Sequence, residues 1–364
     1  MDMALLKHLI YCINNLIKNN MKSALITGIT GQDGAYLAKD LISKGYKVYG
    51  TVRRSSTPKL GRLSLLGIQT KIDFIPLEIT EFSNVFYTIK DIKPDLIFNL
   101  AAQTFVEVSF KHPILTTEIN YIGTLNLLEA IKITGVKSKM YQASTSEMYG
   151  EVLSKPQNEK TPFNPRSPYA VSKAAAHYLV SNYREAYGIE VSTGILFNHE
   201  SEIRGREFVT RKISYQLAEI INGRDIPIQL GNLNSVRDWG YAPDFVKAMY
   251  LIINHKPDDF VVSTNKITTV RDFFKLCAVN AGLKPEFVGD GINEKCYDRI
   301  SSKIICEVNK KYYRPSDVDY LQGDYSKINK ELKWSPDNDI QTIAEKMVRF
   351  DLDVLAGKVN NFGI

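Results

Sequence analysis

Through the first half of the chain, short apolar runs alternate with longer stretches whose apolar residues recur at helical spacing. Ser23-Ala24-Leu25-Ile26-Thr27 predicts a buried strand, and the stretch through Leu37 and Leu41 predicts a helix after it. Lys47 to Val52, Ile72 to Pro76, Leu96 to Leu100 and Lys139 to Ala143 predict further strands, with a helix from about Ile114 to Gly135. Asn164-Pro165-Arg166-Ser167-Pro168 is a helix-start signal. Alternating strands and helices with short links imply an α/β fold class, a doubly wound parallel sheet of Rossmann type. After Leu196 the pattern loosens, with loop-like runs around Asn198 to Glu207 and Asn232 to Trp239. Residues 21–196 are therefore expected to form the main part of the Rossmann domain. Residues 197–364 are expected to form mainly a smaller α/β domain, with some segments returning to the first. A cleft between the two would hold a ligand.

In residues 1–20, Leu5, Leu6, Leu9, Ile10, Ile13, Leu16 and Ile17 recur at helical spacing. The unbroken apolar core and small-residue cleavage site of a signal peptide are missing. Two readings remain: an amphipathic packing or anchoring helix, and an N-terminal extension before a start at Met21, which is the expectation.

Composition narrows the class. The 364 residues suffice for a large core, and 44% hydrophobic with 24% charged content is ordinary for a soluble globular protein. The net charge of +6 is not gathered into one basic run, which suits an anionic small molecule better than nucleic acid. Cys12, Cys277, Cys296 and Cys306 form no C-x-x-C pair and lie near no histidine cluster. Reduced thiols are expected, with no metal and a cytoplasmic location. No run reaches the roughly 18 apolar residues of a membrane span.

The turn after the first strand, Gly28-Ile29-Thr30-Gly31-Gln32-Asp33-Gly34, has the spacing G-x-x-G-x-x-G in a strand–loop–helix context. The first glycine permits the tight turn, the second lets the backbone approach a pyrophosphate, and the third lets the helix pack on the strand. The phosphates would meet the free amides at the helix start. After the second strand, Arg53-Arg54-Ser55-Ser56 stands where an acidic residue would mark NAD. Two arginines and two serines suit a 2′-phosphate through charge-assisted bonds, so the cofactor expected is NADP. Small residues in Leu100-Ala101-Ala102-Gln103 would let it lie against the backbone.

Tyr169 and Lys173 are four apart on the helix begun at Pro168 and share one face. A phenol titrates near pH ~10, and an adjacent ammonium lowers that value. Thr145 and Glu147, two apart at a strand end, would share a face if the segment is extended.

The chain resembles the extended short-chain dehydrogenase/reductase family and, within it, the GDP-mannose 4,6-dehydratases. The resemblance rests on TGITGQDG (Thr27 to Gly34), RRSS (Arg53 to Ser56), LAAQ (Leu100 to Gln103), ASTSEMYG (Ala143 to Gly150) and RSPYAVSK (Arg166 to Lys173). It continues through LFNHES (Leu196 to Ser201), FVTRKI (Phe208 to Ile213), RDWGY (Arg237 to Tyr241) and YYRP (Tyr312 to Pro315). It implies a GDP-linked mannose-type substrate converted to a 4-keto-6-deoxy sugar plus water, with NADP as a recycled hydride carrier. Tyr169 would take the C4 hydroxyl proton, Lys173 would assist it and hold the nicotinamide ribose, and Thr145 would bind the C4 oxygen. Glu147 would remove the C5 proton and return one to the departing C6 hydroxyl.

The resemblance also assigns cofactor contacts to Gly28, Thr30, Gly31, Gln32, Asp33, Gly34, Arg53, Arg54, Ser55, Ser56, Glu78, Ile79, Leu100, Ala101, Ala102, Gln103, Thr104, Tyr169, Lys173, His199 and Arg204. Substrate contacts fall to Gln103, Thr145, Ser146, Glu147, Asn198, Lys212, Arg237 and Arg314. It implies a homo-oligomer, dimer or tetramer, and involves neither nucleic acid nor membrane.

The chain departs from the family where LAAQ continues Thr104-Phe105-Val106 instead of Ser-His-Val, and where Leu115 replaces a tyrosine. Glu78 replaces an aspartate, and Glu202-Ile203-Arg204 replaces Pro-Arg-Arg. The hydride chemistry is untouched, but the sugar stays open between GDP-D-mannose and GDP-D-glycero-α-D-manno-heptose. An NADP-dependent epimerase or reductase needs no C5 base, so Glu147 separates that alternative. A non-catalytic NADP-binding protein would not need Tyr169, Lys173 or Glu147.

Overall fold

The computed structural model describes residues 21–152, 154–312, 320–360 and 363. Residues 1–20 and Arg314, both with expected roles, lie outside the described residues.

Seven strands form one sheet: β1 (Ser23–Thr27), β2 (Lys47–Val52), β3 (Ile72–Pro76), β4 (Leu96–Asn99), β5 (Lys139–Thr145), β6 (Val191–Leu196) and β7 (Asp259–Val262). Their order is β7-β6-β5-β4-β1-β2-β3, and every neighbouring pair is parallel. β4 and β6 are buried at every position, as in strands covered on both faces. The order reverses between β1 and β4, which opens a crevice at the carboxyl ends of the strands. Gly28 turns the chain there with φ 72°, and a Cβ on it would stand 2.8 Å from the Ala101 backbone nitrogen. A Cβ on Gly34 would stand 2.5 Å from the Gly28 carbonyl oxygen. These two positions admit only glycine.

Beneath the crevice runs a buried polar row. Thr27 Oγ1 donates to Asn99 Oδ1 at 2.6 Å, and Asn99 Nδ2 donates to Gln142 Oε1 at 2.7 Å. The Leu100 and Ala101 amides both donate to Thr27 Oγ1 at 3.1 Å, which bends the chain leaving β4 over the glycine turn.

The first three strands have the expected bounds; β4 ends at Asn99 and β5 continues to Thr145. The expected helix from Ile114 to Gly135 is present as Pro113–Thr117, a wide π turn at Glu118–Ile122, and Gly123–Thr134 closed by Gly135 at φ 66°. Two runs that read as loops contain strands. Asn198–Glu200 pairs in parallel with Trp239–Tyr241, and Val236–Arg237 pairs antiparallel with Thr268–Thr269. Segments this short cannot display an apolar period.

A second sheet joins Pro285–Val288, Lys295–Asp298, Ile304–Val308 and Ile228–Leu230. Helices Val209–Ile221, Val270–Asn280 and Ile340–Leu355 contribute Ile213, Leu217, Phe273, Phe274, Ile343 and Met347 to the core around it. Cys277, Cys296 and Cys306 are free, buried thiols. Among the described residues no helix is long and apolar enough to cross a membrane.

Two ion pairs fasten these parts. Arg211, fully buried, donates to Asp351 from Nη2 at 2.7 Å and from Nε at 3.0 Å, joining the Val209–Ile221 and Ile340–Leu355 helices. His199 Nε2 lies 2.8 Å from Asp33 Oδ2, and its Nδ1 lies 2.7 Å from the Phe197 carbonyl oxygen. This pair ties the Asn198–Glu200 strand to the glycine turn.

Asp351→Ala leaves the buried guanidinium unpaired and should cost about 3–5 kcal/mol, read as a lower urea midpoint with unchanged slope. The His199–Asp33 pair makes a pH-dependent contribution. Burial opposes the charge on Asp33, yet His199 holds its carboxyl at about 2, below the ordinary 3.8. Burial likewise opposes a charged His199, but Asp33 outweighs it and raises the imidazole above its ordinary 6.5. A raised histidine stabilises the fold below its unfolded pKa and loses that effect as pH climbs through the folded value. The depressed carboxyl stabilises above its unfolded pKa and loses its effect only as pH falls toward the folded value. Both contributions are present together from about pH 4 to 6.5. The melting-temperature gap between wild type and His199→Asn should therefore be widest near pH ~6 and narrow toward pH ~9; a pH-independent gap would mean a neutral imidazole throughout.

Candidate active site

The Pro168–Tyr187 helix begins with Ser167, whose side chain accepts the Ala170 N–H at 3.1 Å, and ends at Gly188 with φ 63°. Its inward face carries Tyr169 and Lys173 against the end of β5. Lys173 Nζ donates to the Ala143 carbonyl oxygen at 3.0 Å. Burial lowers the Lys173 pKa to about 8. Burial also pushes Tyr169 up to about 12, opposed by a hydrogen bond with the Thr145 side chain. Lys173 is directed at a strand carbonyl and is not among the groups that set this value, in which desolvation disfavours the phenolate.

Thr145 is the last residue of β5, and Ser146–Tyr149 is a 3₁₀ turn. The Thr145 hydroxyl accepts the Glu147 N–H at 3.3 Å and so caps that turn. The two side chains do share a cavity, but by this turn and not by the strand alternation expected from their spacing. Glu147 is half-buried.

One cavity of about 540 Å³ is lined by Thr145, Ser146, Glu147, Tyr169 and Lys173 together with Asn198, Lys212 and Arg237. Asp33, Leu100, Ala102, Thr104, His199 and Arg204 line it on the side of the glycine turn. Asn198 Oδ1 is buried and finds no hydrogen-bond partner among the described residues. Lys212 Nζ donates to the Gln229 carbonyl oxygen at 2.5 Å and lies 3.7 Å from the Tyr312 ring centre. The Arg204 guanidinium stacks 3.6 Å from the Phe208 ring centre and pairs with Glu200 at 3.3 Å.

Other expected residues lie outside this cavity. Gly28, Gly31 and Gly34 form the turn after β1 with Thr30, whose carbonyl oxygen accepts from Arg62 Nη1 at 3.1 Å. Gln32 is committed to the scaffold, donating to the His199 carbonyl oxygen at 3.1 Å and accepting from Ser201 Oγ at 2.7 Å. Arg53, Arg54, Ser55 and Ser56 are exposed after β2. Glu78 is exposed and Ile79 buried after β3, and Ala101 backs the Gly28 turn. Gln103 is not among the lining residues, against expectation for a substrate contact. Its side chain accepts the Phe105 N–H at 2.6 Å and donates to Thr116 Oγ1 at 3.2 Å, which folds it into its own loop. Leu115 is exposed and does not line the cavity.

The cavity also uses residues that sequence reasoning did not single out as site residues. Phe105 meets Phe208 edge to face at 5.7 Å, and both stand in the wall with Ser144, Phe110, Trp239 and Tyr312. Phe208 and Tyr312 sit inside the FVTRKI and YYRP strings, which was the available signal. Ser144 and Trp239 likewise sit inside the ASTSEMYG and RDWGY strings.

Comparison with known proteins agrees with this geometry. The family model described as GDP-mannose 4,6 dehydratase matches residues 25–347. The GDP-mannose 4,6-dehydratase of Yersinia enterocolitica is 45% identical over 351 residues, covering 91% of this chain and 94% of that protein. The Homo sapiens GDP-mannose 4,6 dehydratase is 43% identical over 346 residues, covering 93% of each. Among solved structures, the UDP-glucose 4-epimerase of Thermus thermophilus in complex with NAD superposes with a TM-score of 0.76 at 25% identity, covering 90% of this chain and 98% of that one. The chain belongs to the GDP-mannose 4,6-dehydratase family, a family of hydro-lyases.

Proposed function

We propose that this protein converts GDP-D-mannose to the GDP-linked 4-keto-6-deoxy sugar and water, with NADP as its resident cofactor. The observation that carries the reading is the convergence of Thr145, Glu147, Tyr169 and Lys173 on one cavity in a chain of this family. Residues 21–196 with the returning strand β7 make up the cofactor domain in this reading, and most of 197–364 the substrate domain.

The residues present fit the cofactor. A Cβ would close the approach at Gly28, as a backbone held against a dinucleotide requires, and exposed Arg53 and Arg54 with Ser55 and Ser56 suit a 2′-phosphate. When bound, NADP would supply a hydride acceptor for sugar C4 and a hydride donor for C6. Tyr169 takes the C4 hydroxyl proton as the C4–H bond gives up its hydride. Thr145 hydrogen-bonds the resulting C4 oxygen, and Lys173 holds the ribose side of the crevice. The new ketone acidifies the C5 proton, which Glu147 removes. The C5–H electrons form the C5–C6 double bond as the C6 hydroxyl leaves, and that hydroxyl departs as water with a proton from Glu147. Return of the hydride to C6, with the proton held by Tyr169 going to C5, would complete a redox-neutral cycle and restore Tyr169 and Glu147 to their starting states. Asn198, Lys212 and Arg237 line the part of the cavity suited to the nucleotide diphosphate, where guanidinium forks match phosphate oxygens.

A second sugar, GDP-D-glycero-α-D-manno-heptose, rests on one departure: Phe105, where the family usually has a histidine, stands in the cavity wall and packs on Phe208. Incubation with each GDP-sugar, followed by mass spectrometry, should show loss of one water without net NADPH. Unchanged mass with altered stereochemistry would instead indicate an epimerase. Glu147→Gln should slow water loss by about 10²–10⁴-fold while C4 hydride transfer persists; wild-type elimination in that variant would remove Glu147 from its role. Arg53→Ala/Arg54→Ala should weaken NADP binding by about ten- to a hundredfold and leave NAD binding nearly unchanged, measured by calorimetry. Equal losses for both dinucleotides would defeat the 2′-phosphate assignment.

A further inference from the structure

One turn beyond Lys173, on the same helical face, stands His177, buried and unused in the reaction above. We propose that His177 is a positioning residue for this reaction: it fixes the Ser144 hydroxyl on the cavity wall, and with it the strand end that presents Thr145 and Glu147. The proposal rests on the dehydratase reading.

Three successive inward residues of the helix hold three successive residues of β5. Tyr169 lines the cavity beside Thr145, Lys173 Nζ donates to the Ala143 carbonyl oxygen at 3.0 Å, and His177 Nδ1 lies 3.1 Å from Ser144 Oγ. The first two contacts involve residues with reactive roles. The third has none, yet its partner lines the cavity.

Behind the imidazole, Thr193 Oγ1 also lies 3.4 Å from His177 Nδ1. Asp259 Oδ2 faces His177 Nε2 at 3.9 Å. Thr193 Oγ1 donates to Asp259 Oδ1 at 2.7 Å, and Arg184 Nη2 donates to the same oxygen at 2.6 Å. Arg184 Nε donates to the Val191 carbonyl oxygen at 2.8 Å, and Phe163 meets the imidazole edge to face at 5.2 Å. Burial, the leading cause, holds the His177 pKa below its ordinary 6.5, with Arg184 also lowering it and Asp259 opposing. The ring is therefore neutral at pH ~7. In this proposal the single ring proton sits on Nε2, the side that faces the Asp259 carboxylate, and Nδ1 accepts the Ser144 O–H. The Ser144 proton is then committed to the imidazole. Asp259, on β7, and Arg184, one turn from the end of the same helix, anchor the chain of contacts in the sheet edge.

The test compares two substitutions. His177→Phe keeps the ring volume and the Phe163 contact but loses the acceptor. It should lower kcat about ten- to a hundredfold with KM for the GDP-sugar within about twofold, as for a misplaced catalytic wall. His177→Asn, whose Oδ1 stands near the Nδ1 position, should recover most of that loss. Wild-type kcat in the Phe variant, a loss confined to KM, or an Asn variant no better than Phe would each overturn the proposal. Should the Phe variant fail to fold, Ser144→Ala reads the same bond: alone it should lower kcat as His177→Phe does, and combined with His177→Asn it should be no worse than alone. Additive losses would mean that the two residues act independently. Absence of turnover in the wild type would overturn the dehydratase reading instead. The bond is then read in histidine-labelled protein by NMR, where the resonance lost in His177→Asn should report an Nε2–H tautomer and move in Ser144→Ala. An Nδ1–H tautomer would overturn the positioning role.

Discussion

The site depends on hydrogen bonds buried below the cofactor crevice. Thr27, Asn99 and Gln142 lie side by side on β1, β4 and β5, and each carries polar atoms that would cost free energy if left unpaired. Asn99 also donates to Thr124, and Thr124 donates to the Asn120 carbonyl oxygen. Asn120 Nδ2 in turn donates to the Gln103 carbonyl oxygen and to Ser172, which sits between Tyr169 and Lys173. One connected network thus runs from the strand before the glycine turn to the catalytic helix. Any sliding of one strand would break several of these bonds at once, so crevice and helix keep a single relative placement.

On that platform the protein works against its own charges. Burial raises Tyr169 and lowers Lys173, so the apolar surroundings favour the uncharged form of both. A positive charge in the crevice would favour the phenolate, which couples proton removal to occupancy of the site. A surface tyrosine with the same lysine neighbour would gain less, because solvent would screen that charge.

Much of this was legible in the residues. Short apolar runs marked β1, β2 and β3 to the residue. The motif strings brought Thr145, Glu147, Tyr169 and Lys173 into one cavity before any geometry was known. The 3₁₀ turn at Glu147 was not legible, since the capping role of Thr145 depends on where β5 ends. Gln103 has a type that suits a ligand contact, yet its side chain accepts the Phe105 amide within its own loop, a relation set by the loop's fold. His177 lies outside the motif strings, and Ser144 lies within ASTSEMYG with no role assigned to it. Their relation exists only once a helix spacing of four lies against a strand, and Phe105 meets Phe208 only through the fold.

β7 follows β6 in the sheet but comes more than sixty residues later in the chain, after Asn198–Glu200 and the whole Val209–Ile221 helix. During synthesis the nucleotide crevice is therefore complete in sequence well before the sheet edge is. Until β7 arrives, β6 presents an open edge, and Arg184 and Thr193 lack the carboxylate that holds them. The wall of the active site is closed from behind by one of the last pieces of the sheet to emerge, so a half-made chain has the outline of a cofactor site without the backing that aligns its chemistry.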